Sequence, residues 1–288
     1  MAVKRVLGVA TVLVLTAGVS ACSSGDDGAD GKKDGAKGAS STKGASESEV
    51  VRAAHRKTTA ADSAKMTLAT EAAAAGKTVT VRGAGVMDLE DGNSTMTMTS
   101  QGQKIEQRVL DGVVYQKAPA AQRAQLDLPK GKTWMKIDPA RLSGSDGQVN
   151  DPAASFAFTK GVTDGDVTKV GTETIDGART THYRVKVDVK DLAEGDQAKA
   201  EQLREQLGTS KLPLELWLDD EGRVRQETIK LTLRPQAGAG QKSEKVISTT
   251  TLKFSDFGTE ADVEAPAAAD TVDVTKKLAD ASKTQDTA

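Results

Sequence analysis

From Tyr183 the chain reads Tyr-Arg-Val-Lys-Val-Asp-Val, with apolar and polar side chains in strict alternation. Successive side chains on an extended strand point to opposite faces, so this spacing predicts a strand with one dry and one wet face. The spacing returns at Leu212, Leu214, Leu216 and Leu218, at Ile229, Leu231 and Leu233, and at Val246, Leu252 and Phe254. Earlier, Val79, Val81, Met87 and Leu89 share one parity, as do Met96 and Met98. Parallel sheets are covered on both faces and lose such alternation, whereas antiparallel sheets keep it.

The turns agree with an antiparallel reading. Glu90-Asp91-Gly92, Leu110-Asp111-Gly112, Ile175-Asp176-Gly177 and Asp220-Glu221-Gly222 each place a glycine after an acid between two alternating runs. Hairpin turns need positive φ, which glycine adopts freely, so these sites predict hairpins in a meander. Helical signals are fewer. Ser46 and Glu49 have the spacing of a capping box, and Val51, Ala54, Thr58 and Ala61 follow at helical spacing. The opposite face carries Arg52, Arg56 and Lys57 beside His55. Further helical material is expected at 119–125, at 152–160 and at 197–207, where Ala200, Leu203 and Leu207 share a face and Gly208 ends the run. The expected architecture is α+β: a large antiparallel sheet with one inward helix and short crossing helices.

The one cysteine, Cys22, cannot form an internal disulfide and has no neighbouring metal-ligating partner. It follows Lys4 and Arg5, an apolar stretch from Val6 to Val19, and the small residues Ser20 and Ala21. A basic start, a short apolar run and a small-residue processing site describe an export signal. The run is shorter than the ~20 residues a membrane span takes. Val19-Ser20-Ala21-Cys22 resembles the lipobox of bacterial lipoproteins, which implies diacylglyceryl transfer to the Cys22 sulfur and cleavage before it. Residues 23–46 hold Gly, Ser, Ala, Thr, Lys and Asp and nothing larger and more apolar than Ala. That composition predicts a disordered tether with a reach of roughly 27 Å. The expected organisation is a signal peptide over 1–21, a lipidated cysteine and linker over 22–46, one domain over 47–266 and a loose tail over 267–288.

Net charge is −2, and no basic block is interleaved with aromatics, which argues against nucleic acid as a partner. The sheet's inner face must be covered. Either helices fill it, or part of it stays open with aliphatic walls suited to an acyl chain. In the second case Val79, Val81, Met87, Met96, Met98, Val185, Val187, Leu214, Leu216, Ile229 and Leu231 are the candidate lining. Methionine suits an irregular guest.

Catalytic chemistry finds little support. His55 and His182 are the only histidines, and no nucleophile-base pairing is visible around either; an exposed or hydrogen-bonded sheet residue is the expectation for His182. Gly131-Lys132-Thr133 would end a phosphate loop, but Leu126 stands where a glycine is required, and Glu71 spoils Gly76-Lys77-Thr78 in the same way. Asp219, Asp220 and Glu221 lack the spacing of a calcium loop and read as turn residues, as do Asp164 and Asp166. Arg52, Arg56 and Lys57 would each gain about 1 kcal/mol beside anionic headgroups, though an ordinary solvated face explains them. No enzyme activity, cofactor or metal is expected.

"DGARTTHYRVKVDV" (Asp176 to Val189), "LPLELWLDDEGRVRQETIKL" (Leu212 to Leu231) and "FSDFGTEADVEAP" (Phe254 to Pro266) resemble the second half of actinobacterial LppX/LprG-type lipoproteins with a LolA/LolB-like half-barrel. The resemblance lies in the order of parts and covers most of Glu47 to Pro266. It implies a strongly curved antiparallel half-barrel wrapped over helices. It implies non-covalent carriage of acylated lipids or lipoglycans, with no catalytic residues to transfer. The expected protein is lipid-anchored on the outer face of the cell membrane, with an acyl lipid or lipoglycan as ligand and a membrane transporter as a further partner to test. The alternative is an envelope sensor or protein-interaction module on the same half-barrel.

Overall fold

The computed structural model describes residues 45–74, 76–120, 123, 126–142, 162–193, 196–233 and 245–285. The expected leader, Cys22, nearly all of the tether and the helix expected at 152–160 lie outside the described residues.

Helix α1 (Glu47–Thr59) opens the described chain. Its capping box is formed: Ser46 Oγ accepts from Glu49 N (3.3 Å), and Ser46 N donates to the Glu49 carboxylate (2.7 Å). Two orphan amides are thereby satisfied. Six strands follow: β1 (Ser63–Ala74), β2 (Lys77–Asp88), β3 (Ser94–Ser100), β4 (Gln103–Leu110), β5 (Val113–Lys117) and β6 (Trp134–Ile137). A second series holds β7 (Val167–Ile175), β8 (Ala178–Asp188), β9 (Lys211–Asp219), β10 (Val224–Leu233) and β11 (Val246–Ser255). Between β8 and β9 lie α2 (Val189–Leu192) and α3 (Gln197–Leu207). The latter runs over the expected residues, from the Asp196 cap to Gly208 in the left-handed region. The chain ends with β12 (Thr271–Asp273) and α4 (Thr275–Gln285).

All twelve strands form one open, curved sheet in the order β12-β6-β5-β4-β3-β2-β1-β11-β10-β9-β8-β7. The first meander starts in the middle and walks to one edge. The second starts at the opposite edge and walks back, so that β1 and β11 meet antiparallel at the centre, with Lys65 opposite Ser255. The four expected hairpins are present. At two of them the turn pair is left-handed throughout, Asp111 and Gly112 at φ 48° and 77°, Asp176 and Gly177 at 49° and 84°. This geometry matches the twist of the flanking strands.

Two expectations need correction. The sheet is mixed, because β12 pairs parallel with β6. The stretch after Pro266 is folded: besides β12, Asp138 N donates to Thr275 Oγ1 (2.9 Å), and Lys132 Nζ donates to the carbonyls of Ala268 and Ala269. Three residues are too few to show a period, so the alternation could not announce this strand.

The core lies where α1 crosses one face of the sheet, hereafter the inner face. Val51 and Ala54 pack with Met66, Met87, Val185, Leu214, Leu216 and Phe254. Each large aliphatic side chain fully buried here contributes roughly 1.5–3 kcal/mol. Thr58 fixes the helix in place. Its hydroxyl donates to Ala54 O (2.7 Å) and accepts from Val224 N (2.9 Å), tying the last turn of α1 to the start of β10. Arg52 is fixed as well, donating to Val162 O (2.9 Å).

Candidate functional site

Strand register orders the inner face into rows. One row crosses eight strands: Ile105, Met98, Gly83, Leu68, Leu252, Glu227, Leu216 and Tyr183 stand directly opposite one another from β4 to β8. The next row runs Ser100, Val81, Thr70, Thr250, Ile229, Leu214 and Val185. Side chains directly opposite share a face, so the pairings put all eleven candidate lining residues on the inner side.

Burial divides them. Met87, Val185, Val187, Leu214 and Leu216 are buried in or beside the packing under α1, and Val81 is buried too. Val79, Met96, Met98, Ile229 and Leu231 are only half-buried. The first group belongs to the core. The second forms an aliphatic band over the rest of the face, with Met96 and Ile229 packed against the core. Gly83 makes room in that band: a methyl group added there would meet Met96 Sδ at 2.6 Å and Met98 Cγ at 3.2 Å.

Sequence reasoning missed the residue that breaks the row's apolar character. Glu227 lies between Leu252 and Leu216, its exposure only 4%. Its Oε2 has no hydrogen-bond partner among the described residues. Burial pushes its pKa up to about 8, so at neutral pH the carboxyl is largely protonated. An unsatisfied buried polar group costs roughly 1–3 kcal/mol. In the neighbouring row the hydroxyls of Thr70 and Thr250 bond each other (3.2 Å). The signal was present in "VRQETIKL": Glu227 shares parity with Ile229 and Leu231. A bulge hides it, since β10 shifts register between Val224 and Gln226.

The outer face carries the histidine. His182 stacks on Trp217, ring centroids 4.2 Å apart and planes 11° from parallel. Its Nε2 bonds Glu215, which also accepts from Arg184 Nε (2.8 Å). Its Nδ1 lies 3.0 Å from Glu173 Oε1, an ion-pair distance without hydrogen-bond alignment. This cluster joins β7, β8 and β9 and matches the expected sheet histidine. The acidic turns are structural as well. Asp219 accepts from the amides of Glu221 and Arg223 and from the Arg223 guanidinium. Asp166 accepts from Thr163 Oγ1 (2.6 Å) and Lys211 Nζ (2.6 Å), which holds its carboxyl down at about 2. A cavity of about 210 Å³ beside Gly131, Lys132 and Thr133 also takes in Arg123, Leu128, Pro129 and Lys130. Among the described residues no group of three or more His, Cys, Asp and Glu side chains is arranged to hold a metal ion. Among them, too, no helix is long and apolar enough to cross a membrane.

A family of unknown function, DUF7537, has a model that matches residues 5–271. A 31.2 kDa uncharacterized protein of Streptomyces griseus, from the rplA-rplJ intergenic region, is 35% identical over 163 residues. That match takes in 51% of this chain, and the chain spans about half (50%) of that relative's length. Among solved structures the chain is similar to the lipoprotein LppX of Mycobacterium tuberculosis, with 16% identity, 74% of this chain and 98% of that one covered, and a TM-score of 0.40. It is similar to LprF of Mycobacterium bovis, with 14% identity, 77% and 97% covered, and a TM-score of 0.42. A LolA superfamily protein of Nitrosomonas europaea follows, with 11% identity, 74% and 93% covered, and a TM-score of 0.29. Identities and scores of this size leave ligand and partner to be argued from the chain itself.

Proposed function

The chain belongs to DUF7537, a family of unknown function, and we propose that it is a lipid-anchored extracytoplasmic protein that binds acylated lipids or lipoglycans on the inner face of its sheet and carries them non-covalently. One observation carries this reading. The inner-face row from Ile105 to Leu216 crosses seven strands with a single ionisable side chain, and Met98 within it and Met96, Ile229 and Leu231 beside it are only half-buried. A long aliphatic chain laid across such a band would remove the remaining apolar surface from water, at about 25 cal/mol per Å². Thioether and branched side chains adjust to a guest of variable shape.

The anchor belongs to the same proposal. Acylated Cys22 would hold the body at the bilayer, with residues 23–46 as its leash and residues 1–21 removed. Two acyl chains make such an attachment stable where one is marginal. The binding role needs no nucleophile, base or metal.

The test uses the full chain carrying Cys22→Ser, purified from cells and extracted for lipid mass spectrometry, with a pyrene-labelled fatty acid titrated in parallel. Bound acyl lipid and saturable uptake of the probe are the expected results. Absence of both would overturn the carrier reading; a stoichiometric protein partner on crosslinking at the membrane, with no lipid, would favour the interaction module instead. Metabolic labelling of the wild-type protein with a tagged fatty acid tests the anchor, which fails if Cys22→Ser leaves the label in place.

A further inference from the structure

On β10 the inner-face side chains run from buried Val224, past Glu227, to half-buried Ile229 and Leu231. Glu227 therefore stands at the step from buried to half-buried side chains along this strand. Its flanking partners across the strands are Leu252 and Leu216. Its Oε2 is inaccessible to water and has no hydrogen-bond partner among the described residues. Glu227 is the one ionisable side chain in the row from Ile105 to Leu216, and the polar side chains Thr70 and Thr250 of the next row pair with each other instead.

We propose that Glu227 selects the ligand: an aliphatic molecule entering along Ile229 and Leu231 parts the side chains that now cover the carboxyl, and the free oxygen pairs with a hydroxyl on it. This rests on the carrier reading and deepens it. The chemistry favours a neutral hydroxyl over an ammonium group. Burial keeps the carboxyl protonated near neutrality, and a protonated carboxyl both donates and accepts, as a hydroxyl does. An ammonium ion would have to shed its water to enter the same apolar ground. The hydroxyl can belong to the chain itself or to a glycerol head. In either case a plain chain leaves the carboxyl unpaired, and a site with an unpaired buried polar group discriminates strongly against the ligand lacking the partner.

Displacement of a bound pyrene fatty acid from the full chain carrying Cys22→Ser separates the cases. The competitors are methyl stearate, methyl 12-hydroxystearate and monostearoylglycerol. Wild type is expected to prefer at least one hydroxylated competitor over methyl stearate by about tenfold, and which of the two wins identifies the source of the hydroxyl. Glu227→Leu should erase the preference while still binding methyl stearate, and Glu227→Gln, which keeps a donor and an acceptor, should retain part of it. Equal affinity for all three competitors, or a preference that survives in Glu227→Leu, overturns the assignment and leaves the carrier reading standing. Failure of wild type to bind the probe or any competitor overturns both.

Discussion

Glu227 binds its proton more tightly in the folded chain than in the unfolded one. Burial raises its pKa from an ordinary value near 4.5 to about 8. Between those values the folded state holds more protons, so this residue makes stability fall as pH rises from about 4.5 to about 8. The full effect is of the order of 5 kcal/mol. Replacing it by Gln removes the titration. Urea midpoints should differ little between wild type and Glu227→Gln at pH 5, and at pH 9 the variant should be the more stable by several kcal/mol. Equal midpoints at both pH values would show that the carboxyl finds solvent or a partner. At this scale the sequence was partly legible. The Ser46 and Glu49 cap and the structural role of His182 could be read from residue type and spacing. Glu227 was not read, because its burial depends on strands β9 and β11 arriving from elsewhere in the chain.

Hairpins were the most legible elements, since an acid-glycine pair between alternating runs states both the turn and the register of its flanks. The turn at Gln101 and Gly102, with φ of 49° and 77°, follows the same geometry without the acidic signal. Strand β1 gave a weak signal, being rich in Ala and Thr, yet it is central. The close approach of β2 and β3 was invisible in the sequence. A methyl group on Gly85 would stand 1.9 Å from the Thr95 carbonyl oxygen and 2.8 Å from Met96 Cα, both backbone atoms. At Gly83 it would meet only the flexible side chains of Met96 and Met98. Gly85→Ala should therefore cost about 2–4 kcal/mol, and Gly83→Ala clearly less. Thermal or urea denaturation of the pair checks this, and equal losses would mean that β3 yields as readily as a methionine side chain.

For the whole molecule, two meanders share one sheet, and the core under α1 draws on both. Among the described residues, the cluster under α1 takes in none beyond Phe257. The stretch after Pro266 instead covers the far edge through β12 and buries Val274, Thr275 and Ala279. A chain ending at Pro266 should keep its near-ultraviolet circular dichroism and lose about 2 kcal/mol, the burial of one or two aliphatic side chains. Collapse of the whole signal would place that edge inside the cooperative core. Neither the meeting of the meanders nor the parallel edge strand could be read from local pattern, because both depend on connections that carry no period of their own.

The central seam has a consequence for the life of the chain. Lys65 pairs with Ser255, so the strand made first as the ribosome works completes its pairing only when nearly the whole body has emerged. Contacts so distant in sequence make for slow folding, and until they close, a bare strand edge invites association with any neighbour. Such a polypeptide is poorly suited to waiting unshielded while its last strands are still being made.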